Sequence, residues 1–193
     1  MTSLKTSSKG SLAPSRQAAI TEAFDRCSDE LRWLVTVILG HGHDAEICIV
    51  RAGQIAEEVG VVSMERLEPW VMRCVVRAAI ERIRTDIQSV AGDYTRCAQL
   101  LALPQALNSE EKQILRSLGP KEICAVCNVL ERAAFILHTY LGFSVQDCAL
   151  LLECRRSVIE PACINALHNI LQVGYASRLA SENFAGFSSK ETR

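Results

Sequence analysis

Apolar residues recur along this chain at three- and four-residue steps, and almost nowhere in the strict alternation of a half-buried strand. From about Gln17 to Leu39, the residues Ile20, Phe24, Cys27, Leu31, Leu34 and Ile38 share one helical stripe. Gly40-His-Gly-His43 breaks that helix. A second helix is expected after Asp44, a good N-cap residue, with Glu46 in its first turn and Ile47, Val50 and Ile55 along it. Gly60 to Pro69 reads as a loop, and a third helix runs from Trp70 to about Ser89. Residues 91–108 read as a linker with room for one short helix. Further helices are expected over Glu110–Ser117 and Pro120–Leu141. Residues 1–15 and 177–193, rich in Ser, Thr and Lys, are expected to be disordered.

The punctuation between residues 130 and 171 is the most specific local signal. Leu130, Ala134, Leu137 and Leu141 fall on one face, and Gly142 follows where a left-handed C′ residue belongs. Ser144-Val-Gln-Asp147 reads as an N-cap with an acidic third residue, flanked by Phe143 and Cys148 at hydrophobic-staple spacing. A second cap signal, Ser157-Val-Ile-Glu160, leaves room for a short helix and a tight turn in between. That is helix-turn-helix spacing. Cys148, Leu151 and Leu152 would face inward from the first helix, and Ile164, Leu167 and Leu171 from the second. Two plain amphipathic helices in a bundle would produce a similar pattern.

Composition agrees with an all-α fold. Hydrophobic residues make up 49% and aromatics 5%, so the core must be built from Leu, Ile, Val, Ala and Cys. The formal net charge of -1 supplies no global attraction to nucleic acid or acidic membranes, so any such binding needs a local basic patch. One exists on the third helix, where Arg73, Arg77 and Arg84 share a narrow face beside the apolar Met72, Val76, Ala79 and Ile83. Trp70 at its start could stack on an unpaired base. A solvated basic face with a core Trp explains the same residues. The start of the chain lacks an apolar signal core, and the apolar run from Trp33 to Leu39 is too short to span a bilayer. A cytoplasmic protein without membrane contact is therefore expected, its nine cysteines reduced and mostly buried.

With these motifs in view, the chain resembles a bacterial RNA polymerase sigma factor of the small extracytoplasmic-function (ECF) type, which keeps only regions 2 and 4. Leu141-Gly-Phe-Ser-Val-Gln-Asp-Cys-Ala-Leu-Leu-Leu-Glu-Cys154 resembles the "G-hydrophobe-S-x-x-E-I-A-x-x-L-G" run of region 4. Arg132 falls at the Arg of "L-P-x-x-x-R", Ser157-Val158 at the "T-V" that opens the recognition helix, and Asn165-Ala-Leu167 at its "R-A-L" end. In the first half, Asp44-Ala-Glu-Ile-Cys-Ile-Val50 resembles the "D-A-E-D" stretch of region 2, and Trp70 to Arg84 the "W-L-x-R-I-A-x-N-x-A-x-D-x-x-R" helix. The resemblance covers about residues 20–172. It implies two small helical domains, a region-2-like bundle over 16–90 and a region-4-like helix-turn-helix domain over 109–175, joined by the linker 91–108.

It also implies the partners: core RNA polymerase, promoter DNA and, for proteins of this kind, an anti-sigma factor. The residues it assigns to polymerase docking are Asp44, Glu46, Ile47 and Val50. Those it assigns to DNA are Trp70, Arg73, Arg77, Arg84, Arg155, Arg156 and Ser157.

The motifs depart from the family in ways that bear on function. Between Gly142 and Ser177, Arg155 and Arg156 face Asp147, Glu153 and Glu160. The start of the recognition helix holds Ile159, Glu160, Pro161 and Ala162 where a groove reader places Arg, Lys, Asn or Gln. Pro161 is tolerable there only within a first turn. In region 2, Cys48 (or Ile47) and Arg51-Ala52 replace the family's second acid and its "Q-E" pair, and Arg77 replaces an Asn. Two readings follow: a divergent sigma factor, or a sigma-like interaction module that does not read DNA.

Other chemistry finds little footing. Cys124-Ala-Val-Cys127 lies inside a predicted helix with no second CxxC. Cys148, Cys154, Cys163 and His168 could in principle complete a tetrahedral site, but Cys148 and Cys163 occupy apolar positions of the helix-turn-helix pattern, and His41 and His43 need no ligand role. No metal or cofactor is expected. With no phosphate loop, G-x-S-x-G or H-E-x-x-H, neither is an enzyme.

Overall fold

A computed structural model describes residues 16–59, 66–94 and 108–188, and every regular element among them is helical. The order is α1 (Arg16–Arg26), α2 (Ser28–Leu39), α3 (Ala45–Val59), α4 (Leu67–Tyr94), α5 (Ser109–Ser117), α6 (Pro120–Val126), α7 (Val129–Ala134), a π-helical stretch (Phe135–Tyr140), α8 (Val145–Leu151) and α9 (Arg156–Ser188). None of these helices is long and apolar enough to cross a membrane.

The expected first helix is two, jointed at Cys27, whose backbone leaves helical geometry at φ -97, ψ 7 while the hydrogen-bond ladder continues across it. Gly40 ends α2 in the left-handed conformation at φ 85, its N–H donating to the Thr36 carbonyl. The third predicted helix starts earlier than expected, at Leu67. Pro69 is accommodated because first-turn N–H groups have no intrahelical acceptor. α4 also continues to Tyr94, into the expected linker; residues 95–107 and 1–15 lie outside the described residues.

The segment expected as one helix over Pro120–Leu141 is broken at Cys127, which is extended. Asn128 starts the chain again with a capping box: its Oδ1 accepts from the Glu131 N–H at 3.0 Å, and Glu131 Oε2 accepts from the Asn128 N–H at 2.9 Å. The following turn widens to π geometry before Gly142, at φ 73, closes it. Toward the C-terminus, α9 runs through Ser188, so residues 177–188 are helical rather than disordered.

α4 is the spine of the molecule, packing against α1, α2 and α3 of its own half and against α7 and α9 of the other. α2 touches α6 and α7 directly. Buried residues from both halves, Leu34, Ile38 and Ile87 with Leu130, Phe135 and Ile170 among them, therefore belong to one continuous apolar core. Each large side chain taken fully out of water contributes about 1.5–3 kcal/mol, against about 0–1 kcal/mol for an exposed ion pair. The apolar seam holds the halves together, and the polar contacts around it set their register.

Candidate functional site

Two surfaces carry the residues singled out by the sequence. The first is α3 and its flank on α4. Cys48, Ala52, Ile55 and Ala56 turn inward, which leaves Ile47 and Val50 outward at 56% and 64% exposure. Both line a shallow cleft of about 420 Å³ between α3 and α4, bordered by Arg51, Gln54, Glu81 and Arg82. The two acids of this set are committed elsewhere. Asp44 accepts from Arg82 Nε at 2.9 Å and Nη2 at 2.6 Å, and that guanidinium holds its carboxyl below the usual carboxylate range. Glu46 pairs with Arg32 of α2 at 2.6 Å. Of the four residues expected to dock, the apolar pair is open and the acidic pair is tied within the chain.

The second surface is the basic face of α4. Arg73, Arg77 and Arg84 are exposed, while Val76, Ala79 and Ile83 are buried beside them, as the spacing predicted. Each guanidinium has an intramolecular partner. Arg73 lies over the Phe143 ring, 5.6 Å from its centre, and Arg77 pairs with Glu81 one turn on at 3.3 Å. Arg84 reaches Glu153 at 2.9 Å. Trp70 is half-buried and packs against the core.

The helix-turn-helix segment follows the predicted punctuation on its first helix only. Ser144 caps α8, its Oγ accepting from the Asp147 N–H at 3.1 Å and donating to the Asp147 carboxylate at 2.7 Å. Cys148 and Leu152 are buried, but Leu151, expected inward, is exposed, and Leu150 stands 68% exposed. The predicted second cap is displaced. The Arg155 carbonyl accepts from the Val158 and Ile159 N–H groups, so α9 begins at Arg156 and Ser157 lies within its first turn. Pro161 consequently sits past the first turn, and the Ser157 carbonyl lacks its usual i+4 donor. Leu167 is buried, and Ile164 and Leu171 are half-buried.

Arg156 pairs with Glu160 at 3.2 Å, while Arg155 and Ser157 are exposed. Compared with known family models, curated proteins and solved structures, the chain finds no match.

Sequence reasoning missed several contacts that join the two halves of the chain. Gln88 of α4 donates to the carbonyls of Leu152 and Glu153 at 3.4 and 3.2 Å. Tyr140 donates to Glu30 at 2.6 Å and stacks near Trp33 at 5.2 Å between ring centres. Arg132 donates to the Cys127 carbonyl at 2.8 Å and crowds Gly40, where a Cβ would stand 2.8 Å from its Nη2. No local periodicity reports such long-range pairs.

The eight described cysteines are free thiols. Burial pushes Cys127, Cys148 and Cys163 up to about 12, which keeps them protonated and unreactive at neutral pH. Among the described residues, no group of three or more His, Cys, Asp and Glu could hold a metal ion.

Proposed function

We propose that this chain is a sigma-like protein-interaction module that works by binding rather than catalysis. It docks on core RNA polymerase through the exposed face of α3 and does not read promoter DNA while its halves are packed together. The observation that carries this reading is a contrast between surfaces. Ile47 and Val50 stand uncovered beside a cleft, whereas Arg73, Arg77, Arg84 and Arg156 are each engaged within the chain.

DNA affinity comes largely from cations that displace counterions from phosphates. A phosphate approaching Arg84 or Arg156 must compete with a carboxylate already in contact. The residue content of 142–177, two cations against three anions, points the same way.

The test is size exclusion with core polymerase at moderate salt, run beside fluorescence anisotropy on a promoter-like duplex. Co-elution without salt-dependent DNA binding is the expected result. Failure to co-elute at micromolar concentration would end the polymerase assignment. The second reading is a divergent ECF-type sigma factor that reads promoters and answers to an anti-sigma factor. It is favoured by the exposure of Arg155 and Ser157 at the start of α9. Promoter-dependent transcription that is lost in R73E/R77E would establish it instead.

A further inference from the structure

We infer that the C-terminal part of α4 is a positioning clamp for the α8–α9 turn, so that the helix-turn-helix takes its geometry from the other half of the chain. Among the described residues, Glu153 is the one non-glycine with positive φ, at 53°. An L-residue in that conformation is strained, because its Cβ crowds a carbonyl oxygen. Gly or Asn would normally occupy such a position, and this turn has neither.

The hold comes from α4. Gln88 Nε2 donates to the Leu152 and Glu153 carbonyls, and Arg84, one helical turn before it on the same face, grips the Glu153 carboxylate at 2.9 Å. These contacts fix the residue from both its backbone and its side chain. Within the turn itself, the Glu153 N–H donates to Leu150 at a long 3.4 Å, and the Cys154 N–H to Ala149 at 3.0 Å. An acidic group that drew Arg84 away would remove one hold and loosen the turn. The surface of α4 is thereby coupled to the presentation of α9.

Amide hydrogen exchange on the full chain tests this. Replacing Gln88 by Ala should speed exchange of the Cys154 amide by roughly two- to tenfold, the effect of losing an ordinary hydrogen bond. The Val35 and Val37 amides of α2 should not change. In an E153G background, where the turn needs no clamp, the same Q88A substitution should have less than about half that effect. An unchanged Cys154 amide in Q88A would overturn the proposal. So would an equal rise at Val35 and Val37, or a Q88A effect that is undiminished in the E153G background.

Discussion

A Cβ built on Gly174 of α9 would stand 2.0 Å from Cγ2 of Ile114 on α5. The two helices approach so closely there that a methyl would force Ile114, branched at Cβ and buried, to shift. Gly174→Ala should therefore lower stability by about 1–3 kcal/mol through overpacking. Helix propensity alone predicts a gain of up to about 1 kcal/mol. The sign of the change in urea midpoint decides between them. The loss should shrink in an I114A background, because the clashing methyl is gone.

Position 153 should respond oppositely to two small residues. Gly removes the left-handed strain, worth about 1–2 kcal/mol, and loses an exposed ion pair worth about 0–1 kcal/mol. Ala loses the same pair and keeps the strain. Thermal melts should place E153G at or above the parent chain and E153A below it. Equal destabilisation by both would mean that the turn stores no strain.

Arg82 beside Asp44 depresses the carboxyl's folded pKa, so the pair stabilises the fold above the ordinary carboxylate pKa of about 3.9. That contribution is lost as pH falls through the lower folded value. Urea midpoints of the parent chain and D44N should differ at pH 6 and converge toward pH 2. A difference that stays constant would assign the effect of D44N to something other than ionisation.

Ile47 and Val50 are outward-facing, so I47E/V50E should leave the melting temperature nearly unchanged, within about 0.5 kcal/mol of stability. Co-elution with core polymerase should be abolished. If co-elution survives, the α3 face is not the docking surface. If the variant unfolds, the two side chains contribute to the core after all.

Residues whose conformations depend on near neighbours were legible in advance. Gly142 adopts positive φ after the helix and Ser144 caps α8 through Asp147, as the punctuation predicted, and the helix breaks at Gly40 as expected. The Asn128-x-x-Glu131 box is equally local, but the apolar pattern around it continues without a break and masks it. Ser157 shows the reverse case. It has the residue type of a cap, yet the Arg155 carbonyl opens the helix two residues earlier, where the turn held by Gln88 delivers the chain.

By itself, the sequence determined the all-helical class, several helix ends and the inward stripe of α4, because periodicity and capping act within a turn or two of chain. Only the tertiary structure decided what the exposed residues face. It placed Glu153 against Arg84, Phe143 against Arg73 and Arg82 against Asp44, across separations that no local pattern encodes. It also brought both halves onto one core, since α2 and α4 present apolar surface to α6, α7 and α9 as well as to their own neighbours. An arginine stripe read from spacing is a set of free cations only until the fold supplies its partners.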